Sequence, residues 1–153
     1  AKVITFLSTS KFKSLIMILK TSIDSKSKFF EIQEVCGKSF NLIEKFSYGV
    51  FGSLRYRIKN IFTKTTLSEI SNYNSIVYAN FEIRKKGLVM FFRFKNDQYA
   101  IFGRLNQITF QSSKNKFDIQ IENELISLEI LNSKKHKSFI SNLTKIRSQN
   151  IKI

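Results

Sequence analysis

The chain has 153 residues and carries 26 lysines and arginines against 11 aspartates and glutamates, a formal net charge of +15 at pH 7. Its length predicts one domain over residues 1–153, its apolar share of 42% is sufficient for a packed core, and its single cysteine excludes an internal disulfide. No apolar run reaches the roughly 18–20 residues that a membrane-spanning helix needs. We therefore expect a cytoplasmic protein, with a peripheral position at the inner face of the membrane as a second location.

The basic excess has two interpretations. A strongly positive field attracts nucleic acid, anionic lipid or acidic protein surfaces. Alternatively, abundant Lys, Ile and Asn together with the absence of Pro and Trp are typical of an AT-rich genome, whose codons enrich lysine. Residues 1–64 carry 12 basic and 4 acidic side chains, and residues 65–153 carry 14 and 7. The excess is therefore spread over the folded surface and is not confined to a tail.

The amino-terminal part, residues 1–70, has the weaker periodicity. Apolar residues at helical spacing predict a short helix over residues 12–19, for which a strand is the alternative. Residues 29–35 and 39–43 are predicted as strands around a turn at Gly37, since glycine accommodates a positive φ.

Residues 51–64 are predicted as a helix with basic flanks. Its apolar stripe consists of Phe51, Leu54, Ile58, Ile61 and Phe62, and its flanks of Arg55, Arg57, Lys59 and Lys64. This combination is typical of an amphipathic helix at a membrane interface. The alternative is a helix that packs on the core and leaves its basic edge in solvent.

Residues 75–149 are predicted as a β-meander followed by a helix. Apolar and polar residues alternate along about six short segments, starting with Val77, Ala79, Phe81 and Ile83, and tight turns separate the segments. From Ser133 the period changes, and one helical face collects His136, Phe139, Ile140, Leu143 and Ile146. We expect this helix, at about 133–149, to bury its apolar face against Phe81, Phe92, Phe117, Ile119 and Leu128.

The sequence contains few residues or motifs that could support catalysis. A metal site needs three or four converging ligands, whereas the chain has one histidine, His136, and one cysteine, Cys36, a hundred residues apart. Neither GxxxxGK[ST] nor GxGxxG occurs among the five glycines. We interpret His136 as an amphipathic residue at the edge of the core and Cys36 as a buried structural cysteine. The sequence thus predicts no enzyme, no cofactor, no metal and no small-molecule substrate.

Cations and aromatic residues alternate on or between the predicted strands. This second group comprises Arg93, Lys95 and Arg104 together with Tyr78, Phe91 and Tyr99. Single-stranded nucleic acid is often bound by stacking combined with phosphate neutralisation; core aromatics beside solvated cations are the alternative. The seven cations of the two groups are the candidate residues for binding an anion or a partner: Arg55, Arg57, Lys59, Lys64, Arg93, Lys95 and Arg104.

Residues 76–147 resemble uncharacterised bacterial proteins with a PH-like (pleckstrin-homology-type) domain. The resemblance lies in VYANFEIRKKGLVMFFRF, YAIFGRLNQITFQ and FDIQIENELISLEILNSKKHKSFISNLTKIR, an ordered run of strands that ends in one helix. It implies a seven-stranded, partly open barrel plugged by the last helix, and a noncatalytic role in binding lipid headgroups, peptides or partner proteins. It implies no site at the level of single residues.

Together these patterns predict an α+β fold, an antiparallel PH-like barrel or strongly curved sheet closed by the carboxy-terminal helix, with one or two amino-terminal helices. The predicted function is a binding or adaptor module that docks on a partner protein or an anionic membrane face through a basic surface. A basic protein associated with nucleic acid or the ribosome is the alternative. The sequence does not specify an oligomeric state.

Overall fold

A computed structural model describes residues 18–20, 25–48, 55–62 and 75–151 of the chain. Within these ranges three helices accompany a single sheet of eight strands. The elements in chain order are β1 (Ile18–Lys20), α1 (Ser25–Cys36), α2 (Leu42–Tyr48), β2 (Arg55–Phe62), β3 (Tyr78–Ile83), β4 (Gly87–Phe94), β5 (Asp97–Arg104), a 3-10 turn (Leu105–Gln107), β6 (Ile108–Ser112), β7 (Lys116–Ile121), β8 (Glu124–Ile130) and α3 (Ser133–Ile151).

The sheet has the strand order β1-β5-β4-β3-β2-β8-β7-β6, and its strand pairs are antiparallel. Strands β2 to β5 pair in chain order, and so do β6 to β8, but β5 and β6 do not pair with each other. Pairing of β2 with β8 joins the two groups of strands. The six predicted strands and the carboxy-terminal helix are confirmed, but the single meander is not, because pairing is interrupted between β5 and β6. With β2, seven consecutive strands precede α3.

The core lies between the inner face of the sheet and α3. Phe139, Leu143 and Ile146 of α3 are buried in one cluster with Phe81 and Phe117 of the sheet. The rings of Phe81 and Phe139 have centroids 5.2 Å apart. The predicted apolar face of the helix is therefore confirmed.

Helix α1 packs on the opposite, outer face of β4 and β5. Ile32 and Cys36, one helical turn apart, are fully buried against Val89, Ala100 and Phe102. The prediction of a strand over residues 29–35 is wrong. It relied on a run of apolar residues, but Phe29 and Phe30 in that run are exposed at the helix surface.

The predicted strand over residues 39–43 is also wrong, because this segment leads into α2. Asn41 caps the helix: its Oδ1 accepts a hydrogen bond of 2.8 Å from Glu44 N, and Glu44 Oε1 accepts one of 3.3 Å from Asn41 N. This reciprocal pair is a capping box, which satisfies two amide donors at the start of a helix. Phe40, just before the cap, is buried in the main core.

The predicted helix over residues 51–64 is wrong for residues 55–62, which form β2 at the centre of the sheet. The register with β8 shifts between Ile58 and Asn60. Such an irregularity places Ile58 and Ile61, three residues apart, on the same inner face, so their spacing imitates that of a helix. The other residues of this prediction, 51–54 and 63–64, lie outside the described ranges.

The predicted helix over residues 12–19 lies mainly outside the described residues, and its end belongs to β1, in agreement with the strand alternative. In the described part of the chain, none of the helices has the length and apolar character required to cross a membrane.

Candidate functional site

The outer face of the sheet carries cations where α1 does not pack. Along β2, Arg55, Arg57 and Lys59 point outward while Tyr56 and Ile58 point into the core. This pattern follows from the alternation of side chains along a strand. Three of the predicted binding residues therefore share one surface, although they lie on a strand and not on the predicted helix.

Strand pairing adds Arg93 to this surface. Arg57 pairs with Tyr78 on β3, and Ala79 pairs with Phe92 on β4, so Tyr78 and Arg93 are at the next position along these two strands. Neighbouring strands are about 4.8 Å apart, which places Arg93 roughly 10 Å from Arg57 in the sheet. We call Arg55, Arg57, Lys59 and Arg93 the outer-face cation row.

The row is only partly neutralised by its neighbours. Glu129 Oε2 lies 3.6 Å from Arg57 Nη1 and 3.2 Å from Lys59 Nζ, so one carboxylate serves two cations. The guanidinium of Arg55 lies 4.1 Å above the centroid of the exposed Tyr78 ring. Arg93 is exposed, and its side chain has no ion-pair or hydrogen-bond partner among the described residues. The row therefore presents a positive surface to solvent.

Two exposed apolar side chains adjoin the row. Phe62 of β2 pairs with Leu125 of β8, and their exposed fractions are 52% and 39%. Both side chains lie on the outer face, beside the end of β2 that comes after Lys59. A partner that meets the cations can therefore also contact apolar surface.

Of the three remaining predicted residues, Lys95 and Arg104 do not join this row. Lys64 lies outside the described residues. Lys95 lies in the turn between β4 and β5, where its φ is 50° and its ammonium is 5.3 Å from the ring centroid of Phe94. Arg104 pairs with Gly87, at the far end of β4 from Arg93. Because a strand rises about 3.3 Å per residue, the two arginines are roughly 20 Å apart.

Of the three aromatic residues predicted to stack on a ligand, only Tyr78 is exposed. Phe91 is half-buried and packs on the cluster beneath α1. Tyr99 is buried and stacks on Phe92 with ring centroids 5.4 Å apart. The prediction of a stacking platform is therefore wrong for Phe91 and Tyr99, whose side chains serve packing instead.

A chain of hydrogen bonds that the sequence did not reveal crosses the core. The hydroxyl of Tyr56 lies 2.5 Å from His136 Nδ1, and Ser112 Oγ lies 2.7 Å from His136 Nε2. Tyr56 and His136 are buried, whereas Ser112 is exposed. No spacing signal could have found the chain, because its members lie on β2, β6 and α3. The burial of His136 at the core edge is as predicted.

The environment of Tyr56 fixes which imidazole nitrogen holds the proton. Burial raises the pKa of the Tyr56 phenol, so the phenol keeps its proton. His136 is the only described hydrogen-bond partner of that hydroxyl. We therefore assign Tyr56 as the donor to Nδ1. Burial also lowers the pKa of His136, so the ring is neutral and its single proton lies on Nε2, directed at Ser112.

This arrangement does not activate Ser112 as a nucleophile. A serine needs a neighbouring nitrogen that accepts its proton, and the assigned tautomer presents a donor instead. Cys36 is buried, and burial raises the pKa of its thiol to about 12, so it is held as an unreactive thiol. The described residues include no group of three or more histidine, cysteine, aspartate or glutamate side chains that could hold a metal ion.

The sequence matches no protein family model, and no curated protein matches it. Among solved structures, the chain is similar to the crystal structure of the N-terminally truncated linker-DH/PH domains of p115-RhoGEF, with 11% identity and a TM-score of 0.48 over 83% of this chain and 34% of that chain. It is also similar to a chain in the crystal structure of human RhoA in complex with the DH/PH fragment of PDZRHOGEF, with 9% identity and a TM-score of 0.44 over 77% of this chain and 35% of that chain. The protein thus spans about a third of each matched chain.

The topology agrees with the PH-like resemblance at the level of element order. Seven consecutive antiparallel strands, β2 to β8, precede the carboxy-terminal helix α3. Beyond them, the sheet has the additional strand β1 at the edge of β5, and the two helices α1 and α2 precede β2.

Proposed function

We propose that the protein is a noncatalytic binding module that docks on an anionic membrane face, or on an acidic surface of a partner protein, through the outer-face cation row. The observation that carries this proposal is the placement of Arg55, Arg57, Lys59 and Arg93 on one exposed face with a single carboxylate, Glu129, paired to two of them. Basic residues near an anionic membrane contribute about 1 kcal/mol each to binding.

The exposed apolar pair favours a ligand whose surface can bury apolar side chains. Phe62 and Leu125 give the row an apolar border, and peripheral membrane binding combines buried apolar area with electrostatic attraction. The same combination suits the core and rim of a protein interface. A rigid sheet would present these groups here, in place of the inserted helix that residues 51–64 suggested.

The proposed architecture is a partly open, PH-like barrel closed by α3, in a cytoplasmic protein. An approach between strands that are not neighbours in the sheet order supports it. A Cβ built on Gly103 of β5 would lie 2.8 Å from Ile121 Cγ2 of β7. In a flat sheet these strands would be separated by four others.

Nucleic-acid binding is the second candidate function. It is favoured by the exposed ring of Tyr78 beside Arg55 and Arg93, because an aromatic surface flanked by cations binds single strands by stacking and phosphate neutralisation.

Vesicle cosedimentation with an RNA competitor separates these candidates. The protein is mixed with vesicles of phosphatidylcholine and phosphatidylserine at near-physiological salt, with and without single-stranded RNA. Pelleting that persists with RNA and weakens as salt is raised supports membrane docking. Release into the supernatant by RNA supports the nucleic-acid candidate. Binding to neither excludes the membrane and the nucleic acid and leaves the acidic surface of a partner protein as the ligand of the row.

A further inference from the structure

A second group of cations lines an open pocket of about 420 Å³ at the other end of the sheet. Lys86 comes from the turn between β3 and β4, Arg104 from the end of β5, and Arg147 from α3. The rest of the lining consists of Glu34, Val35, Leu105 and Asn106. Three separate elements thus direct positive side chains at one concave space.

Backbone hydrogen bonds hold these elements together. Lys86 N donates to Cys36 O at 2.9 Å, and Leu105 N donates to Lys86 O at 3.0 Å. These bonds tie the end of α1, the β3–β4 turn and the 3-10 turn after β5 to one another. Arg147 Nη1 donates to Ile108 O at 3.1 Å and fixes the position of α3 beside them. The pocket is therefore built by tertiary contacts and not by one mobile segment.

The cations retain unused hydrogen-bonding capacity. Arg147 uses one of its five N–H donors for Ile108. Within the described ranges, the side chains of Lys86 and Arg104 have no hydrogen-bond or ion-pair partner. The charge of Arg104 also acts on Glu122, where it opposes the rise in the carboxyl pKa that burial causes. Glu34 is the single acid in the lining, so the pocket keeps a positive balance.

We propose that this pocket binds the phosphate monoester group of a small molecule, with Lys86, Arg104 and Arg147 as its ligands. Guanidinium groups bind phosphate through paired N–H donors, and the ammonium adds a third positive contact. The amide of Asn106 is a further donor, while Val35 and Leu105 offer apolar contact to the rest of the ligand. The volume lies within the roughly 300–1,000 Å³ of typical small-molecule sites.

This site is independent of the proposed docking function. Lys86 precedes β4 and Arg93 lies near its other end, so the pocket and the outer-face cation row are roughly 20 Å apart along the strand. One can therefore be present without the other, and variants can address them separately.

The test uses two double variants with the same change in charge. Lys86→Gln with Arg104→Gln removes two pocket cations whose side chains have no hydrogen-bond or ion-pair partner among the described residues. Arg55→Gln with Arg93→Gln removes two cations of the row and serves as the matched control. Arg147 is left in place because its hydrogen bond to Ile108 contributes to the fold. Thermal denaturation of each variant verifies that it is folded. If the pocket double variant does not fold, the single variant Arg104→Gln replaces it.

Glycerol 3-phosphate is titrated into the isotope-labelled protein, with amide NMR signals as the readout and chloride matching the ionic strength. The expected result is saturable shifts at Lys86, Arg104 and Asn106, an affinity at least about tenfold lower in the pocket variant, and no change in the control. Shifts that do not saturate, or that weaken equally in both variants, would overturn the proposal because they indicate general charge screening.

A parallel titration identifies the source of the phosphate. Vesicles of phosphatidylcholine and phosphatidic acid present the same monoester on a lipid. Pelleting that is lost in the pocket variant and retained in the control assigns a lipid headgroup. Saturable binding of glycerol 3-phosphate without such pelleting assigns a soluble phosphate ester.

Discussion

The sulfur of Cys36 occupies the space that a side chain at Gly87 would need. A Cβ built on Gly87 would lie 2.5 Å from Cys36 Sγ and 2.5 Å from Gly103 O. The close contact brings the end of α1 onto the first residues of β4, next to the backbone bond from Lys86 N to Cys36 O. The absence of a side chain at one position thereby sets where the helix meets the sheet and shapes the pocket beside it.

Replacement of Gly87 by alanine should lower the free energy of unfolding by about 1–3 kcal/mol, because the added methyl group overlaps both a side chain and a backbone oxygen. Urea denaturation measures the loss. Gly37→Ala is the comparison: Gly37 has a φ of 82°, and an added Cβ would make only ordinary van der Waals contacts, the nearest at 3.6 Å from Lys86 Cγ. Only backbone strain of roughly 1 kcal/mol is therefore expected. A Gly87 variant as stable as the wild type would show that α1 does not pack as described.

Stability should fall as pH decreases from about 7.5 to about 5.5. Burial lowers the pKa of His136 below its ordinary value of 6.5, so the unfolded chain binds a proton more readily than the folded one. The contribution of the neutral imidazole is therefore complete above the unfolded pKa and is lost as pH falls toward the folded pKa. Urea denaturation at the two pH values measures the difference.

His136→Gln is the control for this pH dependence. It should be less stable at both pH values but should lack the part of the difference that comes from the imidazole. Glu122 acts in the opposite sense, because burial raises the pKa of its carboxyl group, and comparing the variant with the wild type separates the two residues. Equal pH dependence in both proteins would contradict the buried, neutral state of His136.

Tyr56→Phe should cost about 1–3 kcal/mol of stability, since it leaves His136 Nδ1 in the core without its donor while the ring still packs against Phe81 and Phe117. The assigned proton position has its own measurement. Long-range ¹⁵N–¹H spectra of the wild-type imidazole should show a protonated Nε2 and an unprotonated Nδ1. The reverse pattern would restore Nε2 as a possible base for Ser112.

Leu143→Asp should unfold the protein, because Leu143 of α3 is fully buried against the sheet. The substitution removes the packing of the leucine and also buries an unpaired carboxylate. Together these two costs exceed the roughly 5–15 kcal/mol that stabilises a typical domain. Far-UV circular dichroism and urea denaturation measure this. Thr144→Asp, at the exposed neighbouring position, introduces the same group and should leave the protein folded. A folded Leu143→Asp variant of unchanged stability would argue against α3 as the closing element of the core.

The fold of residues 75–151 was predictable because its buried residues follow simple periods. Alternate residues of β3 and β7 face the core, and α3 buries every third or fourth residue. The amino-terminal half departs from this rule. The register shift in β2 gives Ile58 and Ile61 a helical spacing inside a strand, and α1 buries Ile32 and Cys36 while leaving Phe29 and Phe30 exposed. The spacing of Asn41 and Glu44 is that of a capping box and was a signal for the start of α2. The apolar residues around Asn41 favoured a strand instead.

The sites were predictable only where one strand supplies them. Arg55, Arg57 and Lys59 lie together because they alternate along β2. Arg93 joins them through strand pairing, and Arg104 is separated from them by the length of β4. The pocket of Lys86, Arg104 and Arg147 depends on the meeting of a turn, a strand end and a helix. Sequence alone does not specify such convergence.

The most direct test of the account compares vesicle binding of the wild type with that of the two double variants, on vesicles of phosphatidylcholine and phosphatidylserine. Removal of Arg55 and Arg93 should weaken binding by about 30-fold, the equivalent of roughly 1 kcal/mol for each cation. Removal of Lys86 and Arg104 changes the net charge equally and should leave binding nearly unchanged. Equal weakening in both variants would show that overall charge, and not the outer-face cation row, attracts the protein to the membrane.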